Sequence, residues 1–130
     1  NNESISNTMH KDIKNLEIDK MLNGSYDSLI EKNAINQNNK ELIELYYYNF
    51  IIWVLQWTTK NTKFKDMSKE YDRLFKWLKE RFPNYKKNKL IGINKPEGER
   101  FVVRIMFFIF MIMHKLHLGK IGVFIFSRMR

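Results

Sequence analysis

Nine consecutive apolar residues, Ile105 to Met113, constrain this chain more than any other stretch. Punctuation on both sides predicts a helix over about 96–118. Pro96 stands at the first helical position, Glu97 and Glu99 fall in the first turn, Lys115 in the last turns, and Gly119 just beyond. That order matches the helix dipole and the proline-in, glycine-out asymmetry of helix ends. Such a helix needs an equally apolar partner, and residues 40–59 supply one. Leu42, Ile43, Leu45, Phe50, Ile51, Ile52, Trp53, Val54, Leu55 and Trp57 leave only a narrow polar strip at Asn49, Gln56 and Lys60. Two such helices are expected to pair at the centre of a bundle, with Trp53 and Trp57 in the core. Phe101 to Leu118 also has the length of a membrane span, with Arg104, His114, Lys115 and His117 toward its ends; the buried core helix is the favoured reading.

Three further helices follow from spacing. Met67, Tyr71, Leu74, Phe75, Leu78 and Phe82 trace one face of a helix over about 66–82, with Asp66 as cap and Pro83 as stop. Met9, Ile13, Leu16 and Met21 predict a first helix over about 9–22, capped by Asn7 or Thr8 and ended by Asn23-Gly24. Ser25 then caps a short helix through Tyr26, Leu29, Ile30 and Ala34, and Asn39 caps the helix at 40 after an Asn-rich loop. The last eleven residues suit a short helix or a strand, for which Leu90–Ile93 is the candidate partner. The expectation is an all-α fold: a compact bundle of four to five helices over residues 9–130, with a frayed terminus over 1–8 and a short C-terminal β element as the variant form. At 130 residues, 44% hydrophobic and 15% aromatic, the chain has material for one core.

Chemistry is sparse. There is no cysteine, which excludes disulfides and thiolate metal sites. His114 and His117 lie three apart on one helical face but have no third ligand nearby, so a metal site is not expected. Glu97 and Glu99, two apart on a helix, point to different sides and cannot share an acid–base site. No serine has a nucleophile-like context, and the segment Gly92–Gly98 lacks the spacing of a phosphate loop. No enzyme, cofactor or small-molecule substrate is indicated, and no targeting or transmembrane segment fixes a compartment.

Charge carries the functional content. Residues 1–45 hold 5 basic and 8 acidic groups, whereas residues 60–95 hold 12 basic and 4 acidic. On the 66–82 helix, Lys65, Lys69 and Lys76 share one side, with Arg73 next to them. Lys63 precedes the helix, and Lys86, Lys87, Lys89 and Lys95 follow it. Trp77 and Tyr85 are candidates for stacking a base or anchoring a partner. A basic face beside a basic loop suits a phosphate backbone or an anionic bilayer. The expected function is therefore a non-enzymatic binding module for an anionic partner. Nucleic-acid backbone within a larger complex comes first. A protein-interaction or scaffold role for a pathogen or parasite protein, or peripheral binding to an anionic membrane, are the alternatives. Helix-turn-helix spacing, an RNP motif and a zinc knuckle are all missing.

Overall fold

The computed structural model describes residues 18–58, 62–92 and 100–128. Among these the chain is helical, with five α-helices and no strand. They are α1 (Ile18–Glu31), α2 (Lys40–Thr58), α3 (Phe64–Arg81), α4 (Phe101–Lys115) and α5 (Gly119–Arg128); a 3-10 turn, Tyr85–Lys87, follows α3. The expected bundle is present, but several boundaries differ. The first-helix segment before residue 18, the frayed 1–8 terminus, Pro96, Glu97 and Glu99 lie outside the described residues.

Asn23-Gly24 does not end a helix; α1 runs through both. Propensity disfavours glycine there by about 1 kcal/mol, but tertiary contact offsets it. The Asn23 side-chain carbonyl accepts a hydrogen bond from Trp77 Nε1 at 2.7 Å and another from Arg81 Nη2 at 3.0 Å. Gly24 itself is exposed, and a Cβ there would meet nothing within 4 Å. Gly24→Ala should therefore raise stability by about 0.5–1 kcal/mol in urea unfolding; a loss would mean that Gly24 serves some purpose other than local flexibility. The helix ends at Glu31, and Asn33 just beyond it takes the left-handed conformation at φ 51°, as an asparagine tolerates.

Asn39 does precede α2, but its side chain faces back into the loop: Nδ2 donates to the Ala34 carbonyl at 2.6 Å, and Oδ1 accepts from Asn36 N–H at 2.8 Å. Asp66 is likewise not a cap. It sits in the first turn of α3, after Lys63 at the N-cap position.

The core is built on α3 and α2. Met67, Leu74 and Leu78 meet Tyr48, Ile51, Ile52 and Leu55, with Phe82, Phe110 and Val123 closing the same cluster. Tyr48 crosses to α4 and donates to the Phe107 carbonyl at 2.9 Å. The last segment is helix, not strand, and Leu90 and Ile91 lie in a turn. Helix wins because α5 packs into the groove formed by α2, α3 and α4, where Gly122, Val123 and Ser127 fall on one buried side at helical spacing.

Gly119 was expected past the end of the long apolar helix. It is instead the first residue of α5, and the left-handed residue after α4 is His117, at φ 62°. Gly119 is required for a different reason. A Cβ there would overlap the Tyr71 hydroxyl and stand 3.3 Å from His114 Cα. Gly119→Ala should destabilise the fold by roughly 1–3 kcal/mol in denaturant melts, as overpacking does; an unchanged midpoint would show that Tyr71 yields freely.

Candidate anion-facing surface

On α3, exposed side chains recur at Lys65, Lys69, Asp72, Lys76 and Lys79. At about 100° per residue these five span about 80° of the helix, so they form one stripe. Lys79 extends the run that the sequence identified; its signal was the i, i+3 spacing from Lys76. Asp72 lies within the stripe, where Lys120 of α5 holds it at 2.8 Å, and exposed Glu80 lies about 20° beyond its edge. Lys63, Lys87 and Lys89 are exposed at the two ends of α3, Lys86 is half-buried, and Lys95 lies outside the described residues.

Three of the candidate residues do not serve the stripe. Arg73 turns away and pairs with Asp19 of α1 and with Glu70, and burial lowers its pKa. Trp77 is only 7% exposed and Tyr85 only 2%. Trp77 is packed edge-on by Tyr26 and Tyr47, and the Arg81 guanidinium sits 4.4 Å from its ring centroid. Tyr85 stacks on Phe75, with centroids 6.1 Å apart. Neither offers a ring face to a base. Trp77 joins the core because α1 covers the flank of α3 on which it lies.

The reverse correction applies to the apolar helices. Trp53 and Trp57, expected in the core, are 48% and 41% exposed. With Leu42 and Tyr46 they form an outward stripe on α2, and Phe50, Trp53 and Trp57 run as a ladder with centroids about 6 Å apart. Beside it, an apolar cleft of about 590 Å³ opens between α1 and α2 around Leu22, Leu29, Ile43 and Phe50.

Helix α4, expected as a buried core helix, is buried on one side only. Its buried side carries His114 with Phe110 and Met111, and half-buried Arg104 keeps an Nε atom without a hydrogen-bond partner. The side facing water carries Phe101, Val102, Met106, Ile109 and Ile112, with Val102 73% exposed. Leu116 and Leu118 in the connecting loop and Ile121 and Ile125 on α5 are exposed as well. From residue 100 to 128 there is no Asp or Glu, while Arg100, Arg104, Lys115, Lys120 and Arg128 supply positive charge. The lysine stripe borders this region: Lys120 reaches Asp72, and Phe64 of α3 packs edge-on against Phe124 of α5 at 5.3 Å. Among the described residues, no helix is long and apolar enough to cross a membrane.

His114 is gripped at both ring nitrogens. Nδ1 bonds the Tyr71 hydroxyl and Nε2 the Tyr85 hydroxyl. Burial, then the charges of Lys86 and His117, lowers its pKa to about 4. The imidazole is therefore neutral at pH 7, so one tyrosine donates to it and the other accepts. Burial also raises both tyrosine pKa values, so neither is a base at neutral pH. The pair His114–His117 does not converge, since His117 is exposed. Among the described residues no group of three His, Cys, Asp or Glu could hold a metal. No family model matches this chain, and neither curated proteins nor solved structures show a significant similarity to it.

Proposed function

We propose that this chain is a non-enzymatic helical module that docks on the surface of an anionic lipid bilayer. The observation that carries this reading is the outer side of helix α4, where Phe101, Val102, Met106, Ile109 and Ile112 are exposed to water with no charged side chain among them. An exposed apolar helix face of this kind marks an interaction surface. The surrounding charge selects the partner: an acid-free, basic segment attracts an anionic interface and would repel a second copy of itself.

The test is retention on sedimented vesicles. The full chain should bind vesicles rich in phosphatidylglycerol and ignore neutral phosphatidylcholine vesicles. Neutralising Lys65, Lys69, Lys76 and Lys79 together with glutamine should weaken retention by up to about a thousandfold, at about 1 kcal/mol per lysine near an anionic surface. Equal binding to both vesicle types would overturn the electrostatic half of the reading, and binding to neither would overturn all of it.

The α3 stripe favours one further reading, attachment to a nucleic-acid backbone. The buried Trp77 and Tyr85 remove the stacking platform expected for single strands, which leaves phosphate contacts alone. Binding to RNA or DNA would then fall steeply with salt and show no sequence preference. It would also survive apolar-to-polar changes on α4, which bilayer docking would not.

A further inference from the structure

A small polar cleft lies where α3, the 3-10 turn and the α4–α5 loop converge. Its volume is about 240 Å³, and Lys86, Lys120, His117, Asp72, Gly119 and Tyr71 are among its lining residues. Three features of this cleft favour an anion. Two lysines, Lys86 and Lys120, line it from different elements. Lys86 makes no ion pair among the described residues, and Lys120 holds only Asp72, whose side chain is 65% exposed at the rim. The cleft also meets the start of α5. The Gly122 N–H makes the first helical bond, to the Leu118 carbonyl at 3.1 Å, which leaves the amides of Gly119, Lys120 and Ile121 outside the helix ladder. The absent Cβ of Gly119 is what lets this helix start come down onto Tyr71 and His114.

We propose that this cleft binds a single phosphate group, held by Lys86 and Lys120 with His117 at the rim. Asp72 acts as the competitor: it occupies Lys120 in the empty cleft and is displaced when the anion enters. The position suits a phosphate that arrives with a lipid. The loop residues Leu116 and Leu118 flank His117 and are 62% and 43% exposed, so side chains suited to the acyl boundary stand next to the cleft. A free phosphate has the same chemistry, and the assignment does not require docking on a bilayer.

The experiment uses the full chain and inorganic phosphate, followed by chemical-shift titration of the α5 amides against a chloride control at equal ionic strength. Saturable shifts at Gly119 and Lys120 are expected, to be lost in the Lys86→Ala/Lys120→Ala double variant. Both lysines are partly exposed, so the double variant should keep the native amide spectrum elsewhere. Asp72→Asn should tighten phosphate binding several-fold, because it frees Lys120 and removes a like charge. A second arm compares vesicles of phosphatidic acid with phosphatidylglycerol vesicles matched in surface charge. Preference for the phosphomonoester lipid, lost in the double variant, assigns the site to a headgroup; equal retention beside saturable phosphate binding assigns it to free phosphate. Shifts that are linear in phosphate, or unchanged in the double variant, overturn the site. Loss of vesicle binding with intact phosphate titration would overturn only the bilayer reading.

Discussion

Replacing Val102, Ile109 and Ile112 together with serine is expected to leave the chain folded and to abolish its retention on anionic vesicles. All three project from the outer side of α4, Val102 the furthest. Surface changes of this kind usually shift stability by no more than about 0.5 kcal/mol each. Inserted into an acyl boundary, the same side chains would contribute on the order of 1.5 kcal/mol apiece. Their joint loss is therefore about 4.5 kcal/mol, about two thousandfold in partition. The two effects are read separately, by urea midpoint and by vesicle sedimentation. Unchanged sedimentation would end the bilayer reading. A collapsed urea midpoint would show that the α4 face is core against something else, so that its exposure misstates its role. A protein partner in place of lipid would lose binding in the same variant, yet would ignore the lipid composition of the vesicles.

The second large effect concerns pH. Stability should fall as pH drops from about 6.5 toward 4, by on the order of 3 kcal/mol from His114 alone. The sign follows from its folded pKa of about 4 against 6.5 for an ordinary histidine. Between those values the unfolded chain binds a proton that the folded chain refuses, so stability is full above 6.5 and is lost on acidification. Burial is the first cause and the positive charge of Lys86 the second. Glu44 pulls the other way. Burial raises its pKa, so uptake of a proton there favours the folded state. The measurement is therefore a comparison: the slope of unfolding free energy against pH in the wild type, less that in His114→Gln. Identical slopes would mean that His114 is not desolvated in the folded chain. Because Tyr71 and Tyr85 both depend on this imidazole for hydrogen bonding, the variant should also lose stability at pH 7, and the slope rather than the intercept carries the test.

The α3 helix was legible from its sequence, because Met67, Tyr71, Leu74, Phe75 and Leu78 repeat at helical spacing with lysines opposite, and such a two-sided pattern leaves one orientation open. The helices α2 and α4 were legible as helices but not as to which side faces in. A segment that is apolar nearly all round has no polar face to choose for it, so Trp53, Trp57 and Val102 could be placed only by their neighbours. The terminal segment was ambiguous for a related reason: its Ile121, Val123, Phe124, Ile125 and Phe126 fit either period, and the groove between α2, α3 and α4 decided for helix.

What the sequence by itself determined is the helical class, the concentration of positive charge in 60–95 and the absence of cysteine chemistry, since each depends on residue type and local spacing. Tertiary structure alone decided that Trp77 and Tyr85 are buried, that Arg73 belongs to an ion pair with α1, that Lys120 borders the α3 stripe, and that His114 sits between two tyrosines brought from elements 29 and 43 residues away. Contacts between distant segments fix these placements, and no local pattern encodes which distant partner a side chain will meet.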